Sequence, residues 1–164
     1  MAPLQRPQRT GPKPVDDLEA RLIKTVPQVF RHLLAHARRR RAWQDLTYQQ
    51  YNVLRIIQNE GPVPSGEVAR RLLVTAPVVT RLARTLEEAG LVGRRPDPSD
   101  RRAHNLVLTA AGRRKVSAMR RDLLAAAAEL IEPLPEGRRA AVAAALDELE
   151  VLLPGRATPR DVTR

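Results

Sequence analysis

Between Ser65 and Gly112 the chain reads SGEVARRLLVTAPVVTRLARTLEEAGLVGRRPDPSDRRAHNLVLTAAG. Val68, Ala69 and Leu72 recur at helical spacing, and so do Val79, Leu82 and Leu86, which predicts helices over about 65–73 and 76–89. Val74 and Thr75 make the turn between them. Thr75 stands where it can cap the second helix, Pro77 is tolerated in a first turn, and Gly90 ends it. Two helices joined so tightly form a helix-turn-helix. Beyond Gly90 the character changes. Two apolar runs, Leu91 to Val92 and Leu106 to Leu108, flank a tip of Pro, Asp, Ser and Arg, which predicts a β-hairpin with a long basic loop.

Working outward, Thr47 followed three residues later by Gln50 is a capping-box signal. The helix it opens has Tyr51, Leu54 and Ile57 on one face and stops at Gly61-Pro62. A first helix is expected from about Asp16 to Arg41, with acids at its start and arginines at its end, as the helix dipole favours. Its stripe is Leu18, Leu22, Val26, Val29, Phe30, Leu33 and Ala37, and Pro27 should bend it. Thr109 caps a fifth helix to about Glu132, with Val116, Met119, Leu123, Ala127, Leu130 and Ile131 as its stripe. Pro133 and Pro135 break it. A sixth helix over Glu136–Leu153 repeats Val142, Ala145, Leu146, Leu149, Leu152 and Leu153. The last two stripes have no evident partner in the chain.

The expected class is mainly α: a winged helix-turn-helix domain over residues 45–109 with a small β-hairpin wing, set between N- and C-terminal helices over 15–44 and 110–153. Residues 1–14 form a proline-rich basic tail, and 154–164 a second tail, both expected to be disordered.

The 164 residues carry 29 Lys and Arg against 18 Asp and Glu, a net charge of +11. That balance favours a polyanionic partner, nucleic acid first. The excess lies in residues 1–44 and 60–120, whereas 121–164 is net negative. With no cysteine there are no disulfides, thiolate metal sites or cysteine chemistry. No stretch approaches the roughly 18 apolar residues of a membrane span, and the N-terminus lacks an apolar signal core. A soluble cytoplasmic protein that makes no membrane contact is expected.

In a winged helix-turn-helix, the second helix offers its outward face to the major groove. Here Thr75, Pro77, Val78, Arg81 and Arg84 lie opposite Val79, Leu82 and Leu86. Arginine binds guanine O6 and N7 bidentately, and Pro77 and Val78 suit a thymine methyl. By themselves Arg81 and Arg84 also fit an ordinary solvated face. Ser65 and Arg70 are candidate phosphate contacts. The wing supplies Arg94, Arg95, Asp100, Arg101 and Arg102, and arginine on a narrow loop suits a minor groove. Phosphate repels Asp100, so the residue is expected to orient a guanidinium; the alternative is a turn-forming aspartate.

The run from Thr75 to Gly112, preceded by LTYQQYNVLRIIQNEG and SGEVARRL, resembles the MarR family of winged-helix transcriptional regulators over about Asp16 to Leu153. Its most specific part is the Asp-x-Arg wing followed by the apolar strand and Leu-Thr. The resemblance implies a homodimer whose first, fifth and sixth helices interdigitate. It also implies binding to double-stranded DNA at a pseudo-palindromic operator, usually as a repressor and often with release by a small ligand. By the same matching Asp100 and Arg102 take the wing's acid and minor-groove arginine, and Thr75 to Arg84 the base-reading face. Val78 stands where many relatives carry a small hydroxyl. Cysteine-based peroxide sensing is unavailable.

Family ligands bind between the dimerisation helices and the winged domain, near Trp43, Tyr48 and Tyr51. With Phe30 these are every aromatic residue of the chain. They form a candidate pocket in which His36, Arg40 or Arg41 pairs with an anionic phenol or carboxylate. Core filling explains the same cluster. His32 and His36 share a helix face, but zinc wants three or four ligands, so no metal and no cofactor is expected. No phosphate loop or nucleophile-base-acid grouping marks an enzyme. A nonspecific architectural nucleic-acid binder is the alternative to a sequence-specific regulator.

Overall fold

A computed structural model describes residues 17–98 and 103–153. Six helices are seen: α1 (Leu18–Arg38), α2 (Tyr48–Glu60), α3 (Ser65–Leu72), α4 (Ala76–Glu88), α5 (Ala110–Ile131) and α6 (Glu136–Leu152). Three strands, β1 (Val63–Pro64), β2 (Val92–Pro96) and β3 (His104–Leu108), form an antiparallel sheet in the order β1-β3-β2. The fold is a winged helix-turn-helix with its first helix, α1, packed against α5, the first of the two C-terminal helices.

The Thr47–Gln50 capping box forms in full. Thr47 Oγ1 accepts the Gln50 amide at 3.2 Å, and the Gln50 side chain accepts the Thr47 amide at 2.8 Å. Two backbone donors at the start of α2 are thereby satisfied. Below it Tyr51, Val53, Leu54, Ile56 and Ile57 are buried, more than one stripe, because α2 is wrapped by α4, α5 and β3. Thr109 caps α5 through its hydroxyl, which accepts the Gly112 amide at 3.0 Å. Thr75 occupies the cap position of α4 but its side chain makes no capping bond, so the expected cap is positional only.

Three features depart from the sequence reading. The chain leaves α1 at Arg38, turns extended at Arg40 and re-forms one short 3-10 turn over Arg41–Trp43, so the helix does not run on to Arg41. It does continue through Pro27. Strand β1 was not foreseen, because two residues carry no periodicity; its Val63 pairs with Leu106 and its Pro64 with Asn105. The hairpin strands also outrun their apolar dipeptides. Register pairs Arg94 with Leu106, Arg95 with Asn105 and Pro96 with His104, and backbone bonding carries polar residues into the ladder.

The core joins α2, α3, α4, the sheet and the first half of α5, with Trp43, Leu54, Ile57, Leu86, Leu106 and Met119 among its largest sealed side chains. The stripes of α1 and α6 behave differently. Leu18, Leu22, Val26, Val29 and Phe30 on α1 are exposed, as are Val142, Leu146, Leu149 and Leu152 on α6, and no residue of α6 is buried. No helix of the described residues is long and apolar enough to cross a membrane.

Candidate nucleic-acid interface

The α3–α4 turn is closed by Leu73, which adopts the left-handed conformation at φ 53° while 92% exposed. Val74 donates its amide to the Ala69 carbonyl at 3.1 Å, turning the chain sharply into α4. Val79, Ala83 and Leu86 then anchor α4 in the core. Their opposite face presents Ala76, Pro77, Thr80, Arg81 and Arg84, which together line one shallow, open concavity. Thr75 is exposed and Val78 half-buried. Thr80 was missed in the sequence, although it stands one turn from Ala76, Pro77 and Arg84. Its hydroxyl donates to the Ala76 carbonyl at 3.0 Å, as a helical threonine without another acceptor does.

The basic side chains divide by their partners. Arg84 donates to Glu88 at 2.9 Å across a pair that is mostly solvated. Arg94, on β2, donates to Glu87 of α4 at 2.7 Å. Arg70 gives both its Nε and an Nη to Glu67, and Arg71 shares the same carboxylate at 2.9 Å while reaching Glu60 at 3.3 Å. Hydrogen bonds from Arg70 and then Arg71 hold the Glu67 carboxyl down at about 2, and Glu67 in turn raises Arg70. Arg70 is thus occupied by an acid on its own helix. Arg81 and Arg95 are exposed and have no ion pair among the described residues. Ser65 opens α3, half-buried.

At the wing, the Asp97 amide donates to the Ala103 carbonyl at 3.0 Å and the Asn105 amide group donates to Asp97 at 2.9 Å, so this acid closes the base of the loop. Asp97 went unnoticed in the sequence beside Asp100. Asp100, Arg101 and Arg102 lie outside the described residues.

The aromatic residues do come together. Phe30 meets Tyr48 edge-on at 4.6 Å, Trp43 lies 5.1 Å from Tyr51, and Tyr48 lies 6.0 Å from Tyr51. Trp43 is sealed, and its indole N–H donates to the Met119 carbonyl at 3.1 Å. Burial pushes the Tyr51 phenol up. A shallow depression beside the cluster is lined by Arg38, Trp43, Gln44, Asp45, Leu46 and Thr47. His36 and Arg40 both face Glu129 of α5, at 3.4 and 2.6 Å. His32 stacks on His36 at 4.2 Å.

The sequence profile described as "MarR family" matches residues 46–104, from just before α2 to the first residue of β3. The uncharacterized HTH-type transcriptional regulator ML2140 of Mycobacterium leprae is 30% identical over 105 residues, covering 64% of this chain and 73% of that protein. The HTH-type transcriptional regulator MT0903.1 of Mycobacterium tuberculosis is 28% identical over 137 residues, 84% of this chain and 96% of its own length. Among solved structures, RV1404 from Mycobacterium tuberculosis superposes with a TM-score of 0.73 at 23% identity, over 90% of this chain and 99% of that one. YusO from Bacillus subtilis superposes at 0.68 with 25% identity, over 86% and 100%. With a buried-and-exposed α4, a three-stranded wing and these relatives in agreement, the chain belongs to the MarR family of helix-turn-helix transcriptional regulators.

Proposed function

We propose that the protein is an operator-specific repressor. Two copies, joined through α1, α5 and α6, set their α4 helices in major grooves about one helical turn apart and their wings in the flanking minor grooves. The observation that carries this is the division of α4 into two faces. Val79, Ala83 and Leu86 fix the helix rigidly in the core, and Ala76, Pro77, Thr80, Arg81 and Arg84 form one concave outward surface.

Roles follow from the partners each residue has. Arg81 is the arginine for bidentate pairing with guanine, and Thr75, Pro77 and Thr80 surround it. Arg84 joins it by leaving Glu88, a solvated pair worth only about 0–1 kcal/mol. Arg95, with Asp100, Arg101 and Arg102, serves the minor groove. Ser65 takes a phosphate, whereas Arg70 must first be drawn off Glu67.

Dimer formation is supported by the exposed apolar faces of α1 and α6, a surface that water-soluble single chains rarely leave open. For release by a small aromatic or anionic molecule, the support is the depression between Arg38 and Thr47 at the edge of the aromatic cluster. Core packing is the stronger role for Trp43 itself, whose polar edge is already spent on Met119.

The test is selection of bound fragments from the source genome, followed by binding to a selected duplex and a shuffled duplex of equal length. The operator should bind about a thousandfold more tightly at physiological salt. Equal affinities would make the protein a nonspecific architectural binder. Replacing Leu149 and Leu152 by Asp should give single subunits in sedimentation and abolish the preference, because two half-sites must be held together.

A further inference from the structure

Glu87 and Glu88 close the last turn of α4, where no basic residue accompanies them. Three physical effects oppose acids there. The carbonyl end of a helix disfavours negative charge, Arg84 preceding Glu88 by four is the less favourable order for a helical pair, and DNA phosphates repel carboxylates. The two acids meet different fates. Glu88 stays solvated beside Arg84. Glu87 is only about a quarter exposed and reaches off its own helix to Arg94 of β2 at 2.7 Å.

The geometry points to Glu87 as a positioning residue that ties the wing to the recognition helix and so sets operator specificity, an inference that rests on the repressor function proposed above. Arg94 is then not a groove contact but the other half of the tie. Two elements that must enter different grooves of one duplex need a fixed mutual angle. At this edge of α4 the link between them runs through Leu91, whose amide bonds the Leu86 carbonyl at 2.9 Å, and through the Glu87–Arg94 pair at the middle of β2. Cutting the pair removes the side-chain tie between α4 and the middle of β2, leaving the ladder to β1 and the backbone bonds at Leu91 to hold the angle of the hairpin alone.

Charge alone and positioning predict opposite results, which makes the inference testable. Removing one negative charge by Glu87→Gln strengthens binding to any duplex through added phosphate attraction. Loss of a positioning contact weakens the operator only. Binding of wild type, Glu87→Gln and Glu88→Gln to the selected and shuffled duplexes is measured by fluorescence anisotropy across a salt series. The expected result is that Glu87→Gln lowers the operator-to-shuffled ratio about tenfold, with the shuffled duplex bound as well as before or better, while Glu88→Gln, which frees Arg84, does not lower the ratio. The reciprocal exchange Glu87→Arg with Arg94→Glu restores the pair and should restore most of the ratio, with both variants melting as the wild type does. A Glu87→Gln protein that gains equally on both duplexes overturns the inference and leaves the repressor function standing. A wild type that does not distinguish the duplexes overturns the repressor function, and this inference with it.

Discussion

The Leu91 carbonyl oxygen occupies the space that a Cβ on Gly112 would need. The first turn of α5 therefore lies directly on the backbone that leads from α4 into the wing. Gly112→Ala cannot be absorbed by turning a side chain, because the obstructing atom belongs to the main chain. It should cost at least about 1–3 kcal/mol, lowering the thermal midpoint by roughly 2–4 °C per kcal/mol. Gly137→Ala, with open space around it in α6, should leave the midpoint unchanged or slightly raised.

Trp43 ties the 3-10 turn to α5 by its single polar atom. Trp43→Phe keeps most of the apolar volume but removes the indole bond to the Met119 carbonyl, which retains only its helical partner, at a cost of about 0.5–1.5 kcal/mol in denaturant unfolding. In the native protein, the fluorescence of this one tryptophan should resist a soluble quencher such as acrylamide and yield to it on unfolding.

Leu73 holds a left-handed backbone angle with its side chain in water. Leu73→Gly relieves the steric cost of that angle at the expense of some unfolded-chain entropy, and should stabilise by about 0.5–1 kcal/mol. Leu73→Ala retains a Cβ and should change the denaturation midpoint little. A gain for alanine as large as for glycine would show that the exposed side chain, not the backbone angle, was the burden.

The Glu67 carboxyl is held at about 2 by Arg70 and Arg71, against 4.5 in an unstructured chain. Its contribution is fully present above pH 4.5 and is lost as pH falls towards 2, since the unfolded chain takes up the proton first. Urea midpoints of wild type and Glu67→Gln should differ at neutral pH and converge in acid. Because the carboxylate's partner Arg70 is exposed, the difference should shrink with added salt.

Arg81→Ala should weaken the operator complex by about 1–3 kcal/mol while leaving the shuffled duplex almost untouched. An equal loss on both duplexes in the same anisotropy titration would assign Arg81 to a phosphate.

The sequence carried most of the helices because their signals are local. Thr47 and Gln50 announce a cap, Val79 and Leu86 announce a buried face, and Gly90 ends a helix with its own positive φ. What it could not convey depends on pairs distant in the chain. Val63 becomes a strand only because Leu106 lies beside it, and the indole of Trp43 finds Met119 across 76 positions. The same holds for the interface. Arg70, Arg84 and Arg94 read alike as basic residues, yet each proves to have an acid beside it, and of the candidate interface arginines within the described residues Arg81 and Arg95 alone have no ion pair there. Of the two stripes read as lacking a partner in the chain, that of α6 does lie open, whereas that of α5 is partly covered by α1 and α2, which bury Val116 and Met119; the stripe of α1 lies open as well, since a stripe records apolar character and not what covers it.

The Leu91 carbonyl accepts the amide of Thr109 at 3.1 Å, and the carbonyl beside it, that of Gly90, accepts the Thr109 hydroxyl at 2.7 Å. The same hydroxyl caps α5. The long helix, about 33 Å of it, and the base of the hairpin thus share one joint. A tilt imposed at the far end of that rod cannot be dissipated on the way and arrives at the strands as a lever arm delivers it.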